Sequence, residues 1–504
     1  MPSSFFRSDS DPSVPPNHPI NALSPLRKFL ILATLSYSGF LANFSVAIIQ
    51  CAFGPLGKAF GVSPGDIPHT IGYNLLGLAV GPLFWNPLSK TIGRRPVYLL
   101  GSFLFLPCVV WMALSGSYAC FSAARVVAGL CSSFSQTVPP ATVADIYVKE
   151  VRGSKMSMFA TAVVIAPAIA PVFSGLIISS LQWHILFWLV LALGGLQLAL
   201  FFFLVPETLW NEQPAADAAT VPCAPMEKVA SSMSSTADPS KPAFDAEHVE
   251  MSSIPVSSTL RVGHVGAAWM PWRRPAEFLR VFVSPILMAR YLVVLLPSIY
   301  YGSIFAWSVG MTIVMPQKFE EAPYNFKTIP LGCAFLAFGI GGLLGKWSGG
   351  IVGDKTVNYL QRRQGARQPE QRLWALLPIL PFMVVGCAIV GVTIERELHW
   401  IAYLMGGGLF FFCLSAATGI LQTYVLESYL PRSMDTQAVF VFFKSIWGFV
   451  IPQFVTSWGE ERGYLEEYII QGVLAAGVGA LLCVGLIVKG HSIRRWQGMP
   501  VTPK

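Results

Sequence analysis

Charge is what this chain has least of. Only 12% of its 504 residues are Asp, Glu, Lys or Arg, where a soluble chain carries about 25%. A water-soluble globule is therefore excluded, and a hydrophobic content of 54% points to a membrane protein. The net charge of +8 is not a nucleic-acid signal. Its cations sit in short turns between apolar runs, where they set membrane orientation. Histidine is scarce as well. The seven histidines are scattered along the chain with no HExxH or other ligand spacing, so neither a metal site nor a membrane metalloenzyme is expected. No glycine-rich nucleotide loop is present, which excludes ATP as the energy source at this chain. Eight of the nine cysteines lie in or beside apolar runs, and Cys223 lies in a polar stretch. Without disulfide or zinc spacing they read as small packing residues. The first 24 residues are rich in Ser and Pro, with no basic start before an apolar core, so no cleaved signal peptide is expected.

What the chain does have is long apolar runs. A membrane crossing needs roughly 20 such residues. Twelve segments qualify, near 29–52, 67–88, 97–115, 118–141, 155–179 and 184–205, then 288–311, 329–350, 373–393, 400–424, 437–457 and 468–488. Between the sixth and seventh lies a stretch rich in Ala, Pro and Ser, with nothing periodic to bury; it reads as a disordered linker. The expected organisation is a disordered cytoplasmic tail (1–26), a first six-helix half (27–207), the cytoplasmic linker (208–285), a second six-helix half (286–489) and a tail (490–504). At the linker's end, WMPWRRPAEFLRVF reads either as an amphipathic helix holding Arg273, Arg274 and Arg280 at the headgroups or as an ordinary basic juxtamembrane segment. With both termini cytoplasmic, the outward loops hold only Lys58, Lys318, Lys327, Arg396 and Arg462, and the remaining loop cations lie inside.

The halves echo one another. The second segment ends in NPLSK (Asn86 to Lys90) and the eighth in GIVGD (Gly350 to Asp354). The fourth ends in Val143-Ala144-Asp145-Ile146-Tyr147, the tenth in Val425-Leu426-Glu427-Ser428-Tyr429. Parallel halves with a site between them near the midplane are transporter architecture.

Several residues stand out within the runs. Arg125 lies inside the fourth segment, where a charge is costly and should face the protein interior or a wet cavity. Gly129, Ser132, Ser133 and Gln136 share its helix face. The alternatives are a transport role and a structural arginine capping buried carbonyls. Lys444 lies about 10 Å inside the eleventh segment at 1.5 Å per residue; it reads as a coupling or substrate-binding group or as a snorkelling anchor. Asn43, Tyr73, Asn74, Gln136, Tyr300, Trp307, Thr418 and Gln422 mark an aromatic and polar lining suited to a bulky, mostly apolar solute or, by cation–π attraction, an organic cation. The competing reading of such aromatics is plain packing. Asp145 and Glu427 are expected to form ion-pair latches with loop cations, and Asp354 to be the latch of the second half.

The turn NPLSKTIGRR (Asn86 to Arg95) resembles the loop between the second and third helices in the major facilitator superfamily, roughly G-x-L-a-D-R-x-G-R-R. Gly93, Arg94 and Arg95 match; Lys90 stands where that family has an acid. The departure implies that the first-half latch is built differently here, or that Lys90 finds a carboxylate such as Asp145. Arg125-x-x-x-Gly129 resembles the family's fourth-helix motif, whose arginine is linked to proton coupling. Pro167, Pro171 and Gly175, in VIAPAIAPVFSGLI, resemble the antiporter motif of the fifth helix, with Ala166, Ala170 and Ser174 where Gly is usual. They imply a helix-5 gate, bent and closely packed, sealing one half against the other. With VPETL (Val205 to Leu209), the basic turn, Arg125 and the doubled proline jointly resemble the fungal twelve-helix drug:proton antiporter branch. Together these imply an all-α membrane protein of twelve transmembrane helices in two pseudo-symmetric halves. They imply efflux of a drug, toxin or secondary metabolite driven by the proton gradient, without a cofactor. The implied protein is a plasma-membrane monomer, with a vacuolar or other internal membrane as the alternative. Uptake of small organic cations or nutrients, and a non-transporting sensor, are the competing functions.

Overall fold

A computed structural model describes residues 23–208, 275–364, 368–429 and 432–498. Most of the expected linker lies outside these, as do Arg273, Arg274 and both chain ends. All regular structure among the described residues is helical.

The first half runs α1 (Pro25–Ala47), a short α2 (Phe53–Phe60), α3 (His69–Thr91), α4 (Arg94–Ala113), α5 (Tyr118–Ser132) with α6 (Phe134–Ile146), α7 (Lys149–Ile178) and α8 (His184–Leu204). After α9 (Pro275–Met288) come α10 (Leu292–Glu320), α11 (Thr328–Gln364), α12 (Leu380–Glu395), α13 (Trp400–Ser428), α14 (Ser433–Val450), a short α15 (Val455–Arg462) and α16 (Tyr464–Gln497). Ten helical stretches are long and apolar enough to cross a membrane by length and composition. The other two of the twelve segments fail for visible reasons. Helix α3 carries Asn74, Asn86, Ser89 and Lys90, and the fourth segment is broken at Ser133 into α5 and α6.

Local chemistry sets the helix ends. Ser24 caps α1 by accepting from Arg27 N, with Pro25 in the first turn, and Ser117 caps α5 by accepting from Cys120 N. Gly93 joins α3 to α4 at φ +104°, a conformation L side chains rarely adopt. It also has no room for one, since a Cβ there would lie 2.4 Å from Glu207 Oε2.

Lipid is as apolar as leucine, so membrane helices associate by close packing at small residues. Within the first half, Gly77 and Gly129 bring α3 and α5 together; a Cβ on either would fall 2.1 Å from a carbonyl of the other helix. Within the second, Gly341, Gly345 and Gly349 lay α11 on α13 at Gly408, Phe412 and Ala416. The halves meet along two seams. One joins α3 to α14, with Gly72 against Phe449 and Gly448 against Leu75. The other joins α7 to α11, where Gly175 abuts Thr328 O, Gly332 abuts Pro171 O and Gly339 abuts Ala168. Pro167 and Pro171 lie inside α7, so the helix-5 residues fall on a contact between halves. A Cβ at Gly175 would sit 2.3 Å from Thr328 O, whereas one at Gly195 meets nothing within 4 Å. Overpacking costs about 1–3 kcal/mol. Gly175→Leu is therefore expected to lower the melting temperature of the purified protein by several degrees, and Gly195→Leu to leave it unchanged.

Candidate functional site

Where α14 faces α6, Lys444 Nζ donates to Gln136 Oε1 at 3.2 Å. Gln136 Nε2 in turn reaches Asn43 Oδ1 of α1 at 3.5 Å, and Asn43 Nδ2 donates to Gly39 O at 2.8 Å. The ammonium also stands 4.6 Å from the centre of the Phe305 ring of α10. This chain of polar groups crosses from one half to the other. Lys444 is only 8% exposed, and among the described residues it pairs with no carboxylate.

Arg125 lies deeper in the first half and is fully buried. Its guanidinium donates to Ser45 O at 2.8 Å, Val46 O at 2.9 Å and Thr70 O at 3.4 Å. Asn74 Nδ2 donates to the Arg125 carbonyl at 3.0 Å. The arginine thus ties the end of α1 and the start of α3 to α5. It occupies carbonyls that the α1 terminus leaves without helical partners, the geometry of a capping arginine.

The other expected lining residues divide. Tyr73 faces Phe449 across the α3–α14 seam with ring centres 6.2 Å apart. Gln422 Nε2 donates to Gln437 Oε1 at 3.0 Å, linking α13 to α14, and Thr418 Oγ1 bonds back to Leu414 O. Trp307 packs against Trp458 of α15 with ring centres 6.4 Å apart and the rings tilted. Tyr300 departs from expectation. Its hydroxyl donates to Ala475 O of α16 at 3.0 Å and its ring end fills the space beside Gly479, so it is a packing residue between α10 and α16.

The face bearing the basic turns carries two related ion networks. In the first half, Arg94 pairs with Asp145 at 3.2 Å and donates to Ser89 Oγ at 3.2 Å. The Arg94 and Arg95 amides donate to the Glu207 carboxylate at 2.9 and 3.1 Å, which explains why the turn needs glycine at 93. In the second half, Arg372 binds Glu427 through two nitrogens, each at 2.9 Å, and Asp354 at 2.8 Å. Arg94 and Arg372 each open the third segment of their half, and each is held by the acid that ends the fourth. Asp354 stands in the second half where Lys90 stands in the first.

Lys90 does not pair with Asp145. It crosses the seam to Asp435 in the first turn of α14, Nζ to Oδ1 2.7 Å. That carboxylate also accepts from Ser284 Oγ of α9, and Arg432 Nη1 donates to Ser284 Oγ at 3.3 Å. Arg94 touches α14 too, at Met434 Sδ, 3.5 Å. An acid at a helix N-terminus is favoured, so Asp435 is held from three sides. Sequence reasoning missed Glu207, Arg372 and Asp435. The place of Arg372 at the start of the ninth segment, matching Arg94 at the start of the third, was the available signal.

On the opposite face a cavity of about 460 Å³ opens between the halves, lined by Asp66 and His69 from one and Gln317, Glu320, Glu321 and Glu460 from the other. Among the described residues no cluster of ligands could hold a metal ion.

Comparison with known proteins agrees with this architecture. A model of the Major Facilitator Superfamily matches residues 35–452. The chain is 26% identical over 500 residues to the MFS-type transporter hepF of Aspergillus oryzae, covering 96% of this chain and 93% of that protein. It is 25% identical over 441 residues to the MFS-type transporter penM of Penicillium rubens, covering 87% and 79%. It is 22% identical over 482 residues to the MFS antiporter QDR3 of Candida albicans, covering 80% and 69%. Among solved structures, a crystal structure of the D-xylose–proton symporter superposes with a TM-score of 0.60 at 15% identity, covering 94% of this chain and 98% of that one; the likeness is one of fold. With helical halves joined along two glycine-lined seams and a polar contact buried between them, the chain is a multi-pass membrane transporter, not an enzyme, and belongs to the Major Facilitator Superfamily.

Proposed function

We propose that the chain exports a lipophilic small molecule, a drug, toxin or secondary metabolite, in exchange for protons by alternating access. It acts as a monomer, in the plasma membrane with the basic face cytoplasmic. The observation that carries this reading is the Lys444–Gln136 bond, which joins the halves at the buried centre through a lysine with no carboxylate partner among the described residues. Such a centre offers N–H donors to a carbonyl- or carboxylate-bearing solute and no carboxylate to hold a cation, which favours it over uptake of small organic cations. The closely packed α7–α11 seam supports exchange without leakage, and the similarity to an antiporter points the same way. Lys444→Gln keeps a donor for Gln136 but removes the amine. Export is expected to fall at least tenfold, with the melting temperature of the purified protein unchanged. Untargeted profiling of cells and medium, with and without the protein, tests the reading. A compound retained in cells lacking the protein and missing from their medium supports export. One left behind in their medium supports uptake instead.

A further inference from the structure

Three carboxylates are buried among the described residues: Glu370, Asp435 and Glu467. Glu370 pairs with Arg494 at 2.7 Å and Asp435 with Lys90 at 2.7 Å. Glu467, on the first turns of α16, is fully buried and has no cation partner among the described residues. Its Oε1 accepts from Gln471 Nε2 at 2.6 Å, and its Oε2 has no partner. Gln471 is itself fully buried, with its own Oε1 unpartnered. Among the described residues no cation neutralises this carboxyl, and its unpartnered oxygen is open to a proton. The neighbouring amide suits both forms. Its NH2 donates to the carboxylate, and its oxygen accepts from the acid once the amide turns over.

The surroundings place the acid close to a cavity. Glu467 Oε2 abuts α15 at Gly459, where a Cβ would lie only 2.5 Å away. The next residue, Glu460, lines the acidic-face cavity together with Glu320 and Glu321. The buried acid thus lies beside the residue that precedes a cavity-lining one, with the Tyr464 ring packed against the same glycine. The titratable groups around it are Tyr464 and Tyr468 on α16, Tyr403 on α13, Glu460 on α15, Lys318 of α10 over the Tyr464 ring, and Glu395 of α12, which accepts from Tyr464 N. Lys318 is already paired with Glu321 at 2.8 Å.

We propose that Glu467 is a proton-binding site, loaded from the acidic-face cavity past Gly459, and that it carries the proton exchanged for substrate. The assignment rests on the proton-coupled reading above and adds the group that holds the proton. It takes one proton from water of the acidic-face cavity as RCOO⁻ becomes RCOOH, and in the inward-facing state RCOOH returns that proton to cytoplasmic water and becomes RCOO⁻ again.

The test is infrared pH-difference spectroscopy of the full-length protein in lipid, which needs no substrate. A protonated carboxylic C=O band that disappears on raising the pH, is lost in Glu467→Gln and moves in Glu467→Asp supports the site. The aspartate variant keeps the test decisive if the glutamine variant fails to fold. A difference spectrum unaltered by both substitutions overturns it. The coupling reading fails separately: wild-type export that ignores a protonophore removes it whatever the spectrum shows. Export that stays protonophore-sensitive in Glu467→Gln removes Glu467 as the carrier and leaves the coupling reading intact.

Discussion

Lys90→Glu is expected to reduce export at least tenfold, and adding Asp435→Lys in the same chain to recover most of the loss. Lys90 and Asp435 meet at 2.7 Å across the α3–α14 seam, with side chains 28% and 5% exposed. Two carboxylates facing each other there cost several kcal/mol, and a tenfold rate change needs only about 1.4 kcal/mol. An inter-half pair can serve as a latch only if it forms in one access state and breaks in the other, so reversing one charge biases the population against the closed state. Exchanging both charges keeps the attraction. Full recovery is not expected, because a lysine at 435 would lie near Arg94 and Arg432, which reach Met434 and Ser284. Export of the compound identified by profiling, measured for the single and double variants at equal protein level, checks this. Equal activity of wild type and Lys90→Glu would remove the latch.

Arg125→Ala is expected to abolish export and to lower the melting temperature. The guanidinium satisfies three carbonyls, of Ser45, Val46 and Thr70. A buried acceptor left unpaired costs about 1–3 kcal/mol, so the loss is a large part of a typical net stability. A fall on the order of 5 °C follows, read by thermal melting in detergent. Arg125→Lys should recover part of the stability, since an ammonium lacks the planar fork that reaches both Ser45 O and Val46 O. Normal export by Arg125→Ala would contradict the placement of Arg125 as the tie between α1, α3 and α5.

The twelve segments and their two halves were legible because apolar length is read directly from sequence. Arg125 was legible as an inward-facing charge for the same reason. Its partners were not, since backbone carbonyls leave no mark in a sequence. The partner of Lys90 lies 345 residues away on the other half; a loop motif read locally pointed to Asp145, which Arg94 takes. Tyr300 was misplaced because helical spacing says which residues share a face, not which face meets the cavity, and where lipid and core are both apolar the pattern carries no direction. Glu467 fell just outside the expected twelfth segment, 468–488. The helix begins earlier, at Tyr464, and draws the acid inside. The run Gly341-x-x-x-Gly345-x-x-x-Gly349 was a readable packing signal for α11 on α13, and the structure uses each of its glycines.

The central claim is that an outward flux of substrate is driven by an inward flux of protons. Its most direct test is uptake of the profiled compound into inside-out membrane vesicles carrying the protein, with the vesicle interior made acidic. The account predicts concentrative uptake that collapses when a protonophore is added. Uptake of equal size and rate with and without the gradient would contradict it.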